Sequence, residues 1–219
     1  MYSASTELNT RADQIAKKLW QAAHMNLRPM GVETHGFQIN PPLPTETLVN
    51  LEAMLGITFP IEYATFITRV SDGGAGPAYG LLSLKEALRG FDNFVTADYL
   101  RRPFQHTEAI NIAELPEMVS FSERLAAGDV SDAELADLET GEPAWFEPTG
   151  TLTLSAIGCG LTHFLIVSGP TRGQVWMDGH RGFVPFRLNF LDWYERWLDH
   201  ILTGGDGVWW RGMSKGKDM

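Results

Sequence analysis

The chain has 219 residues, 44% of them hydrophobic, which is enough to bury a core without disulfides or metal and excludes a chain that is disordered as a whole. Its 17 Lys and Arg against 27 Asp and Glu give a net charge of -10, which disfavours direct nucleic-acid binding and favours a basic protein partner. The single cysteine cannot form an internal disulfide, and neither a signal-peptide pattern nor an apolar run of membrane-spanning length occurs. We expect a cytoplasmic protein that binds neither a membrane nor a cofactor.

The first predicted element is an amphipathic helix. Apolar residues recur at helical spacing over residues 11–27, within an N-terminal helical extension that we place at residues 1–40. Three prolines in residues 41–44 then favour extended backbone. A second helix is expected to be capped by Thr45 and stopped by Gly56 in a left-handed conformation. Its buried face is predicted to contain Leu48, Leu51, Met54 and Leu55.

The next segment completes a helix-loop-helix pair. Pro60 is tolerated in the first turn of a helix, and the helix that it begins is expected to end at residues 72–74. Residues 79–84 are apolar and too few for a stable helix, so they predict a short strand. From about 91 to 148 the periodicity weakens, and we interpret this stretch as a partly helical insertion.

The C-terminal third predicts a sheet and a closing helix. Alternating residues at 151–155 and an apolar run at 161–167 predict two strands, followed by a returning strand at 174–177 and a turn at Asp178-Gly179. These strands form an antiparallel meander. Asn189 caps a last amphipathic helix that ends at a glycine pair. Residues 204–219 are predicted to be a flexible tail, from which Trp209 and Trp210 could dock back onto the core.

Several of these motifs together resemble a known family. In chain order they are Pro60-x-x-Tyr63-x-x-Phe66-Ile67, Asp72-Gly73-Gly74, Gly158-x-Gly160, Leu165-Ile166, Val175-Trp176-Met177-Asp178 and Phe190-Leu191-x-x-Tyr194. This order is similar to the SUKH superfamily, the Smi/Knr-type domain, which includes fungal cell-wall regulators and many bacterial immunity proteins that neutralise toxins. The resemblance implies an α+β domain over residues 41–203, in which helices flank a mixed or mainly antiparallel sheet. The chain departs from the family in Asp72, where Asn is usual, in the N-terminal extension and in the insertion.

The residues that carry the resemblance are expected to be structural. Pro60 fixes the start of its helix, which Tyr63 and Phe66 anchor to the sheet. Gly73 and Gly74 allow a sharp reversal after that helix. Gly158 and Gly160 are expected to permit a tight turn or bulge. Trp176 is expected to cover one end of the core, and Asp178 to lie in the turn after it.

Catalytic interpretations of the C-terminal third are weaker. Cys159 with His163 suggests a thiol nucleophile, but residues four apart on a strand are about 13 Å apart, so a buried structural cysteine is preferred. Asp178 and His180, with His163 on a neighbouring strand, suggest a metal site, yet scattered ligands are a weak signal and we expect no metal.

The insertion carries the most one-signed stretch of the chain. Residues 125–171 contain no Lys or Arg and many carboxylates. Trp145 and Phe146 within this stretch are either a binding hot spot or a tether to the core. Because crowded exposed acids give no means of raising one pKa selectively, a solvated acidic surface is preferred to a glycosidase site. The glycosidase pairs considered are Glu142 with Glu147 and Asp137 with Glu139.

The sequence and the resemblance together favour a non-catalytic immunity protein that binds and inhibits a basic toxin, with a nuclease as the leading target class. Acidic side chains would steer the toxin by charge complementarity, and two aromatic residues would anchor it. The alternatives are a regulatory or scaffolding interaction module and, third, a hydrolase. The residues expected to contact the toxin are Asp72, Tyr79, Asp129, Asp132, Asp137, Glu139, Glu142 and Trp145.

Overall fold

A computed structural model describes residues 6–89, 95–132, 148–179 and 182–211. It has an α+β fold in which helices surround a sheet of four antiparallel strands paired in chain order, and this confirms the predicted fold class. The strands are β1 (Thr151–Gly158), β2 (Leu161–Ile166), β3 (Gln174–Gly179) and β4 (Gly182–Asn189). The helices are α1 (Thr6–His24), α2 (Val32–His35), α3 (Thr45–Leu55), α4 (Ile61–Arg69), α5 (Leu84–Arg89), α6 (Ala97–Arg101), α7 (Pro116–Ala127), α8 (Phe190–Leu202) and a 3₁₀ turn at Ile112–Glu114. Within these ranges, no helix combines the length and the apolar character needed to cross a bilayer.

The N-terminal extension is part of the core. α1 packs against α4 and α8 through a stripe at helical spacing that includes Ile15 and Leu19, both fully or almost fully buried. Arg11 fastens the start of this helix by ion pairs with Asp192 and Glu195 at the beginning of α8. The predicted amphipathic helix is therefore correct, and its apolar face covers the two central helices.

The starts and the buried face of α3 and α4 differ from the sequence predictions. Each helix follows a proline that stands at the N-cap position with extended backbone, so Thr45 and Ile61 are the first helical residues. Met54, predicted to be buried, has 71% of its surface exposed. The buried polar residue of α3 is instead Glu52, whose carboxylate accepts a hydrogen bond from the Phe59 N–H at 2.7 Å.

The segment between α4 and α5 contains no strand at residues 79–84, so that prediction is wrong. Gly80 has a φ of 99°, which interrupts extended backbone. Ser83 and Glu86 then form a reciprocal capping box that begins α5 at Leu84. The predicted reversal is correct, because a Cβ on Gly73 would lie 2.6 Å from the Ser83 nitrogen.

The sheet is longer than predicted. β3 continues through Asp178, which pairs with Thr162 and Phe183 and therefore lies in a strand rather than in a turn. β4 was not predicted, since Pro185 interrupts its sequence; the proline is accommodated because β4 is an edge strand. The turn predicted at Gly158 and Gly160 is present, because β1 ends at Gly158 and the two residues Cys159 and Gly160 connect it to β2.

The helix-covered face of the sheet contains the larger core. Tyr63 and Phe66 of α4 are buried and each contacts Phe190 of α8, with ring centroids 5.1 Å apart. The two rings therefore anchor α4 to α8. The prediction that they anchor α4 directly to the sheet is wrong. Tyr194 of α8 donates a buried hydrogen bond to the Ala75 carbonyl at 2.6 Å. This bond connects the closing helix to the loop after α4.

The opposite face of the sheet has its own aromatic cluster. Trp176, predicted to cover one end of the core, is instead fully buried within this cluster. Phe104 contacts it edge-on, with ring centroids 5.0 Å apart. The other members of the cluster are Phe164, Ile166 and Phe183. Because Phe104 lies in the predicted insertion, the first part of that insertion covers the second face of the sheet.

Irregular segments hydrogen-bond to both edges of the sheet. Tyr79 and Leu82 donate backbone hydrogen bonds to the Ala156 and Leu154 carbonyls of β1, at 3.3 and 2.8 Å. On the other edge, Ile110 and Phe183 of β4 exchange two backbone hydrogen bonds of 2.9 and 3.1 Å. These segments place the loop after α4 and the insertion beside opposite edges.

The described part of the predicted tail packs onto the core. Trp210 is buried, and its ring contacts His163 of β2 with centroids 4.7 Å apart. Trp209 contacts Phe186 of β4, and the Arg196 guanidinium lies over the Trp209 ring. The prediction that these tryptophans could dock back is confirmed.

Candidate functional site

Two of the three strand connections of the sheet, β1 to β2 and β3 to β4, lie at one end, which we call the hairpin-tip end and define as residues 158–162, 178–179 and 182. The pairing of Gly158 with Leu161, Thr162 with Asp178, and Gly179 with Gly182 establishes this arrangement. The structure therefore gathers Gly158, Gly160 and Asp178, which are distant in sequence, at one end of the sheet. Asp178 is half-buried there.

Tyr79 lies beside the hairpin-tip end, on the β1 side. Its ring rests on Gly158, where a Cβ would lie 3.2 Å from Tyr79 Cε2. The preceding residue is held equally closely, because a Cβ on Gly31 would lie 1.9 Å from the Ala78 carbonyl oxygen. Although both neighbours fix its position, 40% of Tyr79 is exposed. An exposed aromatic side chain on a rigid support is typical of a binding surface.

Backbone strain occurs at the same place. Ala78 and Cys159 have φ values of 55° and 52°, in the left-handed region that costs a non-glycine residue about 1–2 kcal/mol. Such residues occur more often at functional sites than elsewhere. We call Tyr79, Gly158 and Cys159 together the Tyr79 surface, which the buried Gly31 and Ala78 support.

Asp72, a predicted toxin contact, has a structural role. One carboxylate oxygen accepts a hydrogen bond from the Leu84 N–H at 2.7 Å and so caps α5. Burial raises the pKa of Asp72, and the Leu84 hydrogen bond opposes that rise. Its role in partner binding stays a prediction.

The remaining predicted contacts lie elsewhere in the chain or outside the described residues. Asp129 and Asp132 are exposed and follow α7, which packs on the 3₁₀ turn after Ile110. The structure does not bring them into the Tyr79 surface. Four further predicted contacts, the neighbouring aromatic residue and the second glycosidase acid all lie outside the described residues: Asp137, Glu139, Glu142, Trp145, Phe146 and Glu147.

Cys159 and His163 have different environments. Cys159 is exposed in the β1–β2 turn, so the predicted buried cysteine is wrong. His163 is fully buried, and its Nδ1 lies 2.7 Å from the Ser155 hydroxyl. Burial lowers the pKa of His163 to about 3, so the imidazole is neutral at pH 7.

The metal interpretation used Asp178, His163 and His180. His163 is enclosed by aromatic rings, among them Trp193 of α8 at 5.2 Å. His180 lies outside the described residues. Within the described ranges, no group of three or more His, Cys, Asp or Glu side chains is placed to hold a metal ion.

A surface cleft of about 370 Å³ lies on the β4 side of the sheet, lined by residues 105–111 and 114–115. Glu108 forms an ion pair with Arg187 of β4 at this cleft, and Asn111 donates a hydrogen bond to Glu114 at 2.7 Å. No sequence pattern marks this cleft, because its residues have neither helical nor alternating periodicity. The pair Asn111 and Glu114, three apart before an apolar segment, is the local signal that was available.

No protein-family model, curated protein or solved structure matches the chain. The features available for assigning a function are those of its own surface. They are an exposed and rigidly held Tyr79, strain in two turns beside it, and an acidic net charge.

Proposed function

We propose that the protein is a non-catalytic immunity protein that binds a basic protein toxin, with a nuclease as the leading class, and neutralises it by covering its active site or a neighbouring surface. The observation that carries this proposal is the Tyr79 surface, in which a fixed aromatic ring is exposed beside two hairpin tips. The resemblance to SUKH immunity proteins supplies the functional class. The net charge of -10 supplies the sign of the partner's charge.

Tyr79 has the properties expected of an interface hot spot. Tyrosine is enriched among residues that dominate binding energy, and a ring already held by Gly158 loses little side-chain freedom when a partner covers it. A standard interface buries about 800 Å² on each partner, which is more than one ring provides. The toxin would therefore also cover the exposed turn at Cys159 and Gly160.

The acidic residues contribute mainly to the rate of association. Exposed carboxylates that follow α7, including Asp129 and Asp132, attract a basic toxin over distances of about 10 Å at physiological salt. We expect a variant with Asp137→Lys and Glu139→Lys to associate more slowly and with a weaker dependence on salt. Stopped-flow binding at two salt concentrations measures both effects, and unchanged kinetics would remove these residues from the interface.

Co-expression with the product of the adjacent gene tests the proposed function. We expect a stable complex and rescue of the growth defect that this product causes when it is expressed alone. Tyr79→Ala should weaken binding about 30-fold, whereas Tyr79→Phe retains the ring and most of the affinity. Met54→Ala is the matched control, because Met54 is also a large exposed apolar side chain but lies on α3.

The outcomes distinguish the candidate functions. A complex with growth rescue agrees with an immunity protein. A complex with a product that is not toxic favours the regulatory or scaffolding module. The absence of both a complex and rescue contradicts the proposal, and equal affinity of the Tyr79→Ala and Met54→Ala variants would place the interface elsewhere.

A further inference from the structure

The cleft at residues 105–115 is built on a fixed backbone. Ile110, in its wall, exchanges two hydrogen bonds with Phe183 of β4. Gly182 approaches so closely that a Cβ there would lie 1.7 Å from the Ile110 carbonyl oxygen. Phe104, just before the cleft, donates a backbone hydrogen bond to Ser168 at 2.9 Å. The cleft is therefore present before any ligand binds, and its volume of about 370 Å³ is within the range of sites that take small molecules or single side chains.

The lining of the cleft suits a cation. This lining includes two carboxylates, Glu108 and Glu114, and no Lys or Arg, although Arg187 of β4 reaches Glu108 from outside the lining. Its titratable base is His106, and burial lowers the pKa of this side chain, so the imidazole is mainly neutral at pH 7. The remaining polar side chains are Gln105, Thr107 and Asn111, which offer uncharged hydrogen-bonding groups.

The chain itself provides an example of the chemistry. The Arg187 guanidinium forms an ion pair with Glu108 at this cleft, while Glu114 receives a neutral hydrogen bond from Asn111. A carboxylate has two oxygens that accept several hydrogen bonds. A planar guanidinium matches such oxygens better than a spherical ammonium does.

We propose that this cleft receives an arginine side chain of the basic partner, with its guanidinium bound by Glu114 and, beside Arg187, by Glu108. The inference rests on the proposed function for the identity of the partner. The cleft and Tyr79 flank opposite edges of the same end of the sheet, because Ile110 pairs with Phe183 and Tyr79 with Ala156. Five spacings between neighbouring strands separate them, about 24 Å, and a standard interface is wide enough to cover both.

The test uses the full-length protein and a small probe, so that it does not depend on finding the toxin. The probe is N-acetyl-arginine amide, and N-acetyl-citrulline amide is the neutral control of the same shape. We expect the arginine probe to shift the backbone amide NMR signals of residues 105–115, and the citrulline probe to have little effect. Glu114→Gln should weaken arginine binding about three- to fivefold, whereas Glu46→Gln, which removes the same charge from an exposed position on α3, should not.

A second pair of variants changes affinity in the opposite direction. Arg187→Ala removes the guanidinium that already occupies Glu108, so it should strengthen binding of the arginine probe about twofold or more. Arg69→Ala removes a cation that pairs with Asp13 on α1 and should leave binding unchanged. All four side chains are exposed, and their thermal unfolding provides a check that the fold is retained.

The inference is overturned if citrulline binds as well as arginine, if neither probe shifts the cleft signals, or if Glu114→Gln and Glu46→Gln have equal effects. It is also overturned if free arginine binds much more tightly than the blocked probe, since the cleft would then be an amino-acid site. If the protein binds the arginine probe but does not rescue growth from the toxin, the proposed function is contradicted and the arginine site is not.

Discussion

The two faces of the sheet are both aromatic, but they are covered in different ways. The first face is covered by α8, against which α4 packs, and the buried rings of these two helices include Phe66, Trp193 and Tyr194. The second face is covered by an irregular segment around Phe104, with the 3₁₀ turn and α7 beyond it. Helices cover a sheet with a repeating pattern of side chains, whereas an irregular segment does so with isolated contacts. The irregular covering leaves a polar cleft beside the sheet, and the helical covering does not expose its aromatic residues.

The largest expected effect tests whether the second face is a core of comparable importance. Trp193 and Trp176 are both fully buried, one on each face. We expect Trp193→Ala and Trp176→Ala each to lower the free energy of unfolding by about 3–5 kcal/mol, measured by urea denaturation. A loss below about 1 kcal/mol for Trp176→Ala would mean that the second face contributes little to stability.

The insertion can be tested in the same way. Phe104 contacts three aromatic residues of the second face, so Phe104→Ala should cost about 3 kcal/mol of unfolding free energy. Val119→Ala on α7, an exposed apolar residue of the same insertion, should change stability by less than about 0.5 kcal/mol. Equal effects of the two substitutions would show that Phe104 is not a core residue.

The helical face contains a buried histidine whose protonation should reduce stability. The pKa of His163 is about 3 in the folded protein and about 6.5 in an unfolded chain, so the unfolded state binds the proton first as the pH falls. Stability from this group is complete above pH 6.5 and is lost progressively towards pH 3. We expect the free energy of unfolding to be about 2 kcal/mol lower at pH 5 than at pH 7.5 from this group.

A substitution separates this contribution from that of other groups. The side chains packed around His163 are Ser155 of β1, Phe186 of β4, Trp193 of α8 and Trp210, none of which titrates near pH 6. In urea unfolding at both pH values, His163→Gln should reduce the pH-dependent difference by about 2 kcal/mol, whereas substitution of the exposed His24 of α1 by Gln should leave the difference unchanged. Burial also lowers the pKa of His35 and His106, so these two side chains account for part of what remains. A difference as large in His163→Gln as in the unmodified protein would assign the pH effect to other groups.

The smallest expected effects concern two buried tyrosines on the helical face. Tyr194 donates a hydrogen bond to the Ala75 carbonyl, so Tyr194→Phe should cost about 1–2 kcal/mol by leaving that carbonyl unpaired. The Tyr63 hydroxyl is buried with no hydrogen-bond partner among the described residues. Tyr63→Phe should therefore be neutral or stabilising in thermal unfolding. A larger loss of stability for Tyr63→Phe than for Tyr194→Phe would contradict this assignment of the buried hydrogen bond to Tyr194.

The sequence was most informative where one periodicity extends over a whole element. α8 was predicted with its Asn189 cap, which accepts a hydrogen bond from the Asp192 N–H at 2.9 Å, because seven apolar residues recur at helical spacing after it. The β1–β2 turn was predicted from two glycines. Each of these signals is local, and tertiary packing reinforces it.

Prediction failed where a contact distant in sequence decides the structure. The strand predicted at residues 79–84 is a different kind of error, because the Ser83 and Glu86 capping box that begins a helix there is a local motif and was readable in the sequence. β4 was hidden by Pro185, which only an edge position permits. Tyr79 was predicted as a toxin contact, which stays a prediction, and its support by Gly158 across 79 positions could not be inferred from spacing. The cleft at residues 105–115 depends in the same way on the pairing of Ile110 with Phe183.

The paired edges of the sheet have a consequence for how the protein behaves at high concentration. An open strand at the edge of a sheet is a template on which another extended chain can add. Here Tyr79, Leu82 and Ile110 occupy backbone groups of β1 and β4, and Pro185 has no N–H to offer. A second molecule would have to break these hydrogen bonds before forming its own. Growth into fibrils is thereby disfavoured, and a sheet rich in aromatic residues can expose its turns without becoming a seed for aggregation.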